Sequence, residues 1–271
     1  MKDLFLPRDP SRFDAAAVER FFANWPFEER LLALEAGQAD LMRQVMLEKF
    51  LNPALRPFFL YHFTPLVRRA VGEMFAHRPD PRILELGCGS GSLSLLFALL
   101  GARVTAVDLS EEGVEACRRR QRLYETQAGP LRLEFRQANA FELDYPSLGP
   151  VDAIYSLFAF NMMQPTRELV PRMMQALGPD GKVLISDGNR QSLYLRLMKP
   201  RPTLTPPELS ERLRQQGCRR TATEYHCVMP PVFVRHPLLY GLGRRLEGAA
   251  RALGLMPWLG VSYTLLAERS G

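Results

Sequence analysis

At 271 residues, 46% hydrophobic and 24% charged, the chain is long enough for one large domain or for a domain with a cap. No charged-then-apolar leader opens it, and the uncharged run Gly254–Ala267 is too short to span a bilayer and contains Pro257, so a soluble, cytoplasmic protein is expected. The formal charge of +6 is concentrated between Gly188 and Arg251, where twelve arginines and lysines face four acids, which leaves room for an anionic small molecule, a membrane surface or a nucleic acid as partner.

Residues 1–80 read as an N-terminal helical cap. Phe13, Ala17, Phe21 and Phe22 share one face of a helix ending before Pro26, and Leu41, Met42, Val45 and Met46 continue at spacings of three and four. Thr64-Pro65 reads as the cap and first position of a further helix running through Val67, Val71 and Phe75.

Residues 81–271 follow as the main domain, beginning with Ile83–Ala98, ILELGCGSGSLSLLFA. A short apolar run carrying Glu85 leads into Gly87-Cys88-Gly89-Ser90-Gly91 and then an apolar segment of helical length. Strand, glycine turn and helix in that order form the first half of a βαβ unit. The glycines permit positive φ and close approach of a ligand to the main chain. Arg103–Asp108 is a second strand ending in an acid, 21 residues after Gly87, and a carboxylate there suits a ribose diol.

From Arg82 to about Asp187 the sequence resembles the class I (Rossmann-like) S-adenosylmethionine-dependent methyltransferases. The resemblance implies an α/β fold with a seven-stranded, mostly parallel sheet whose last strand is antiparallel. It also implies S-adenosylmethionine as cofactor. The turn Gly87, Cys88, Gly89 and Gly91 would hold its methionine part, with Glu85 orienting the amino group. Asp108 would bind the ribose and Leu109 would lie on the adenine. Asn139 stands where the family usually has an acid for the adenine amino group, Ala140 adds a backbone contact, and Ser156 belongs to the same set. The Asn/Asp-Pro-Pro-aromatic motif of enzymes acting on planar amines is replaced here by Ser156-Leu-Phe-Ala159, which points to an organic acceptor.

Further along, Ser110 reads as a helix cap, and Arg118, Arg119, Arg120 and Arg122 as a solvated basic face. Leu131, Leu133 and Phe135 alternate with charged residues as a third strand, 151–157 is the fourth and 182–187 the fifth. Thr166 reads as the cap of the intervening helix and Gly178–Gly181 as a turn. Pro200, Pro202, Pro206 and Pro207 make a loop, Thr205-Pro-Pro-Glu208 a capping box, 221–228 the sixth strand and 261–268 the last. An insertion at about 229–258, with a helix over 237–253 that sets Arg244, Arg245 and Arg251 beside Leu238, Leu239, Leu242 and Leu246, is expected to add to the substrate wall or to face lipid.

Cys88, Cys117, Cys218 and Cys227 lack metal-ligand spacing, so no metal is expected. The candidates for removing a proton from an acceptor are His226, His62 and Asp187. Methyl transfer to a small molecule, with oxygen favoured over nitrogen or carbon, is the expected activity, and a homodimer is open. RNA methylation and a non-catalytic methyltransferase-like subunit stand as alternatives. A nicotinamide-dependent oxidoreductase is disfavoured by the glycine spacing and the lack of a Tyr-x-x-x-Lys pair.

Overall fold

The computed structural model describes residues 4–32, 49–198, 204–226 and 237–269. The periodicity at Leu41, Met42, Val45 and Met46, the prolines Pro200 and Pro202, and Cys227 lie outside the described residues, as does much of the insertion before residue 237.

Seven strands form one sheet in the order β3-β2-β1-β4-β5-β7-β6. They are β1 (Arg82–Leu86), β2 (Arg103–Asp108), β3 (Leu133–Gln137), β4 (Val151–Leu157), β5 (Leu177–Gly188), β6 (Cys218–His226) and β7 (Ser262–Arg269). Only β7 runs against the others, pairing antiparallel with both β5 and β6. Central strands covered on both faces need apolar residues at consecutive positions, and β1 is buried from Ile83 through Leu86. The order of the first four strands places the carboxyl ends of β1 and β4 side by side, the switch point where open α/β sheets bind ligands.

On one face lie α1 (Ala15–Phe22), α2 (Trp25–Leu32), α3 (Arg56–Met74), α4 (Ser92–Leu99) and α5 (Glu111–Ala128). They share a single apolar core with the sheet. Asp14 caps α1 by accepting the Ala17 N–H at 2.8 Å, which turns Ala17, Val18, Phe21 and Phe22 inward. The aromatic density of the sequence becomes a cluster in which Phe22, Trp25, Phe50 and Phe59 meet mostly edge to face, with centroids 4.7–6.4 Å apart. The other face carries α6 (Tyr145–Leu148), α7 (Thr166–Met173) and α9 (Pro206–Gln215) over a second core. The carboxyl edge of the sheet bears α8 (Leu193–Met198), α10 (Pro237–Ala252) and α11 (Met256–Leu259).

Several local expectations change. Thr64-Pro65 does not start a helix: α3 runs unbroken from Arg56 to Met74 with Pro65 inside it. Burial of Phe58, Phe59, Phe63, Leu66 and Val67 along one side outweighs the hydrogen bond that the proline cannot make. Pro165, not Thr166, is the N-cap of α7, and the Thr166 hydroxyl instead donates to the Met163 carbonyl at 3.1 Å. Gly178–Gly181 lies within β5, which begins at Leu177, with Asp180 taking φ 55. Ser110 does cap α5, accepting the Gly113 N–H at 3.0 Å. At Thr205 the Glu208 carboxylate accepts both the backbone N–H and the hydroxyl, at 2.8 and 2.7 Å.

The basic run on α5 is not a uniformly solvated face. Arg122 is exposed, but Arg120 is fully buried and forms an ion pair at 2.7 Å with Glu28 of α2, itself fully buried. Tyr124 donates to the other Glu28 oxygen at 2.6 Å, and Asn24 donates to Tyr124 at 3.0 Å and to the Phe5 carbonyl at 2.9 Å. Burial, reinforced by the Glu28 charge, keeps the Tyr124 phenol protonated. A buried pair of this kind is costly to break from one side. Glu28→Ala should therefore lower the unfolding free energy by about 3–5 kcal/mol in urea titration, and adding Arg120→Met should restore part of the loss.

Candidate active site

β1 delivers the chain into a turn whose glycines all take positive φ: 73° at Gly87, 50° at Gly89 and 67° at Gly91. The N–H groups of Gly87 and Cys88 both donate to the Val107 carbonyl, at 2.8 and 3.0 Å, so the turn hangs from β2. A Cβ on Gly87 would come 2.3 Å from that of Ala159, and one on Gly91 would come 2.8 Å from the Cys117 sulfur and the Phe135 ring. Packing therefore excludes side chains at both positions, independently of any ligand.

Asp108, half-buried at the end of β2, faces this turn. Its Oδ2 accepts the Gly89 N–H at 2.8 Å and its Oδ1 the Ser110 N–H at 3.0 Å. Helix α4 starts at Gly91 without a side-chain cap, so its first N–H groups and positive dipole end are not screened from the turn by a capping side chain. Beneath, the Arg120 guanidinium donates to the Ser90 carbonyl and, at 3.2 Å, to the Ser92 hydroxyl.

Glu85 lies under the glycines rather than beside them. It is buried, its carboxylate takes the Ser94 hydroxyl hydrogen bond, and burial pushes its pKa up to about 8. The Cys88 thiol is buried too and raised well above its usual value, first by its hydrogen bond with Cys117 and then by burial, so only the backbone of Cys88 serves the turn. Ser156 is enclosed in β4 and donates to the Leu86 carbonyl at 2.8 Å, reaching the turn through that backbone.

Beyond Asp108, Leu109 stands 69% exposed at the mouth of the cradle. Asn139 accepts the Phe141 N–H at 3.1 Å and donates to Glu142 at 3.2 Å, while the Ala140 carbonyl accepts the Tyr145 hydroxyl at 2.8 Å. These contacts leave the Asn139 amide able to turn with little loss, since its partners are near in sequence and on the surface.

The carboxyl end of β4 forms the other half of the site. Phe158 takes φ 54, a conformation bulky side chains avoid, and its N–H donates to the Ser186 carbonyl at 2.7 Å. Its ring stacks on His62 and meets Phe63, with both centroids at 5.9 Å. Burial, and then the neighbouring His226, depress the His62 pKa to about 4. His226 is also lowered, by burial. Its Nε2 lies 3.1 Å from the Thr264 hydroxyl, which is 2.9 Å from that of Ser186, so a polar chain crosses β6, β7 and β5. Asp187 is occupied by the backbone: Oδ2 accepts the Asn161 N–H at 2.7 Å and Oδ1 the Gly188 N–H at 2.6 Å. Asn189 ties down the Pro257 and Gly260 carbonyls, both at 2.8 Å.

The fold thus gathers Gly87, Gly89 and Asp108 at the cradle, sets Phe158 and His226 at the ends of β4 and β6, and brings His62 of α3 against Phe158. A cavity of about 460 Å³ between α3 and β6 reaches His226 from the side, lined also by Leu66, Arg69, Glu73 and Glu224. None of the glycine-turn residues lines it. Sequence reasoning had no signal for the left-handed Phe158, for Thr264 and Ser186, or for Arg120 under the turn.

A glycine turn answered by an acid at the end of β2, in this strand order, defines a Rossmann-like domain for a nucleoside-containing cofactor. Residues 84–185 match the family described as a methyltransferase domain. A ubiquinone biosynthesis O-methyltransferase of Xanthomonas axonopodis pv. citri is 28% identical over 164 residues, 54% of this chain and 66% of that relative. The match thus spans just under two thirds of the relative's length. Phosphoethanolamine N-methyltransferase 2 of Haemonchus contortus shares the fold at a TM-score of 0.58 and 19% identity, over 88% of this chain and 59% of that one. Magnesium protoporphyrin IX methyltransferase of Synechocystis PCC 6803 shares it at 0.52 and 17%, over 95% of this chain and all of that one.

The family's cofactor is S-adenosylmethionine, and the residues present fit it. An uncapped helix start suits a carboxylate, Asp108 turns its Oδ2 to the glycine turn, and Leu109 offers an apolar surface for a base.

The Glu85 carboxyl is pushed from an ordinary 4.5 to about 8 in the folded chain. A raised carboxyl pKa favours folding fully below the unfolded value, and that contribution is lost as pH climbs through the folded one. Glu85→Gln, which cannot ionise, should therefore gain stability relative to the parent as pH rises from about 5 to about 8, read by denaturant titration at each pH.

Proposed function

We propose that this protein transfers a methyl group from S-adenosylmethionine to a hydroxyl of a small organic acceptor. The observation that carries the reading is the juxtaposition of two half-sites. The Gly87–Gly91 cradle faces Asp108 at the end of β2, and the strained Phe158 holds an aromatic and imidazole wall at the end of β4.

In this reading Asp108 accepts hydrogen bonds from the ribose hydroxyls, exchanging the Gly89 N–H for one of them. The first turn of α4 and the turn amides receive the methionine carboxylate, and Leu109, Asn139 and Ala140 border the adenine. When bound, the cofactor supplies a sulfonium methyl group that is already electrophilic. The protein's part is then alignment and exclusion of water, the effects that proximity makes large. Phe158, Phe63 and the His62 ring provide a dry, flat wall for an acceptor. Asp187 fixes the segment after β4 through Asn161 and so positions Phe158.

Both histidines have lowered pKa values and are neutral near pH 7, the form that can take a proton from an acceptor hydroxyl. His226 suits this role better than His62. Thr264 and Ser186 orient its ring, whereas His62 at about 4 is a weak base. Asp187, with both oxygens committed to backbone N–H groups, is the least suited of the three.

Oxygen as acceptor atom rests on two supports: the name of the O-methyltransferase relatives, and a neutral imidazole at the end of β6 able to take a hydroxyl proton. Incubating the protein with methyl-labelled S-adenosylmethionine and a small-molecule extract should give a labelled product whose methyl is an ether by mass spectrometry; label found only in RNA or protein would overturn the reading. Asp108→Ala should weaken S-adenosylmethionine binding in calorimetry by about 1–3 kcal/mol, the range for hydrogen bonds to a charged group.

A further inference from the structure

We propose that the rim formed by α10, α11 and α8 docks on an anionic membrane surface. Helix α10 has two distinct sides. Gly243, Glu247 and Ala250 face the protein and are buried. Leu238, Leu242, Leu246 and, just past the helix, Leu253 repeat at four, four and seven residues, and they stand 85%, 50%, 51% and 72% exposed. The stripe is therefore not the side by which the helix packs. Trp258 (53%) and Leu197 (83%) are exposed on α11 and α8, and α11 packs against both α8 and α10. Large apolar side chains exposed together mark interaction surfaces.

Charge selects the occupant. The exposed Arg245 flanks the stripe, Arg244 and Arg251 stand further round the same helix, and Arg196 is exposed on α8. Arg244 lies over the Tyr61 ring and Arg251 pairs with Glu247, so Arg245 and Arg196 are the cations this rim offers among the described residues. A second copy of the same face would oppose arginine with arginine. RNA would satisfy the arginines but leave the leucines in water. An anionic bilayer meets both demands, taking leucines and tryptophan below the headgroups and arginines among them. At 16 residues α10 is about 24 Å long. Among the described residues no helix is long and apolar enough to cross, so α10 lies in the surface plane. These elements sit on the carboxyl edge of the sheet that also bears Phe158 and His226. Granting the activity proposed above, a lipophilic acceptor would pass from the bilayer to the site without crossing water.

The docking itself is read without activity, by co-sedimentation of the full chain with phosphatidylcholine vesicles and with equimolar phosphatidylcholine–phosphatidylglycerol vesicles. The parent should bind the anionic vesicles and be weakened by salt. The double variant Leu242→Glu, Leu246→Glu should lose at least about tenfold in partitioning with an unchanged circular dichroism spectrum, since two buried leucines supply more than that. Arg245→Glu should lessen the preference for anionic lipid. A parent that ignores vesicles, or a double variant that binds equally, overturns the proposal. A dimer that the double variant dissolves would assign the stripe to a second copy instead, and preferential retention on RNA would overturn it as well.

Discussion

Between Leu86 and Ser92 the chain carries almost nothing that could fix its own shape, so the turn is defined by what surrounds it. Val107 holds its two leading N–H groups, Asp108 holds that of Gly89, and Arg120 holds the Ser90 carbonyl from below. Ala159 and the Cys117–Phe135 pair fill the space where side chains would project from Gly87 and Gly91. The supports come from four elements: β2, α5, β3 and the segment after β4. The cradle is preformed only when all of them are in place, and that preorganisation removes ordering cost from ligand binding.

Arg120 makes the N-terminal helices part of that support. Its Nε is neutralised by Glu28 of α2, and its Nη1 reaches the turn. Charges removed this completely from water interact through a low effective dielectric, so neither partner is dispensable once the other is present. Arginine suits the position in a way that lysine would not, because its planar fork addresses a carboxylate and a carbonyl in separate directions at once. On the same face Lys182 of β5 pairs with Glu73 of α3 at 2.8 Å, and Arg69 of α3 pairs with Glu224 of β6. The N-terminal helices are thus fastened beneath the glycine turn through α2 and to β5 and β6 through α3. A shift of α2 reaches the Ser90 carbonyl through Arg120, and a shift of α3 carries the His62 ring.

Legibility followed the range of the interactions. The β1–turn–β2 unit could be read because strand hydrophobicity, positive-φ glycines and a strand-end acid are all written within 26 residues, Ile83 to Asp108. Caps at Ser110 and Thr205–Glu208 are closed by partners three residues away, and they formed as read. The Thr64-Pro65 signal is equally local, but eight buried residues along α3 decided against it. Arg120 looks like its neighbours Arg118 and Arg122 in sequence, since what separates them is a glutamate 92 residues earlier. Phe158 is the sharpest case. Nothing in its side chain favours a left-handed backbone, and the conformation follows from its N–H bond to Ser186 and the ring contacts with α3.

The two halves of the site differ in the same respect. The cradle is one short stretch whose backbone is held by β2 and packed by Arg120, Cys117, Phe135 and Ala159, so its geometry rests on the surrounding fold as well as on the glycines and the acid. The proposed acceptor wall draws on α3, the end of β4, β5, β6 and β7, and its residues contribute through side chains: a ring at Phe158, imidazoles at His62 and His226, hydroxyls at Thr264 and Ser186. Side chains can be exchanged without disturbing the sheet that carries them. The physical consequence is that cofactor geometry is tied to the fold, while choice of acceptor is tied to a handful of substitutable groups on the strand ends. A fold shared with distant structures is silent on the acceptor, which has to be argued from the wall's own chemistry.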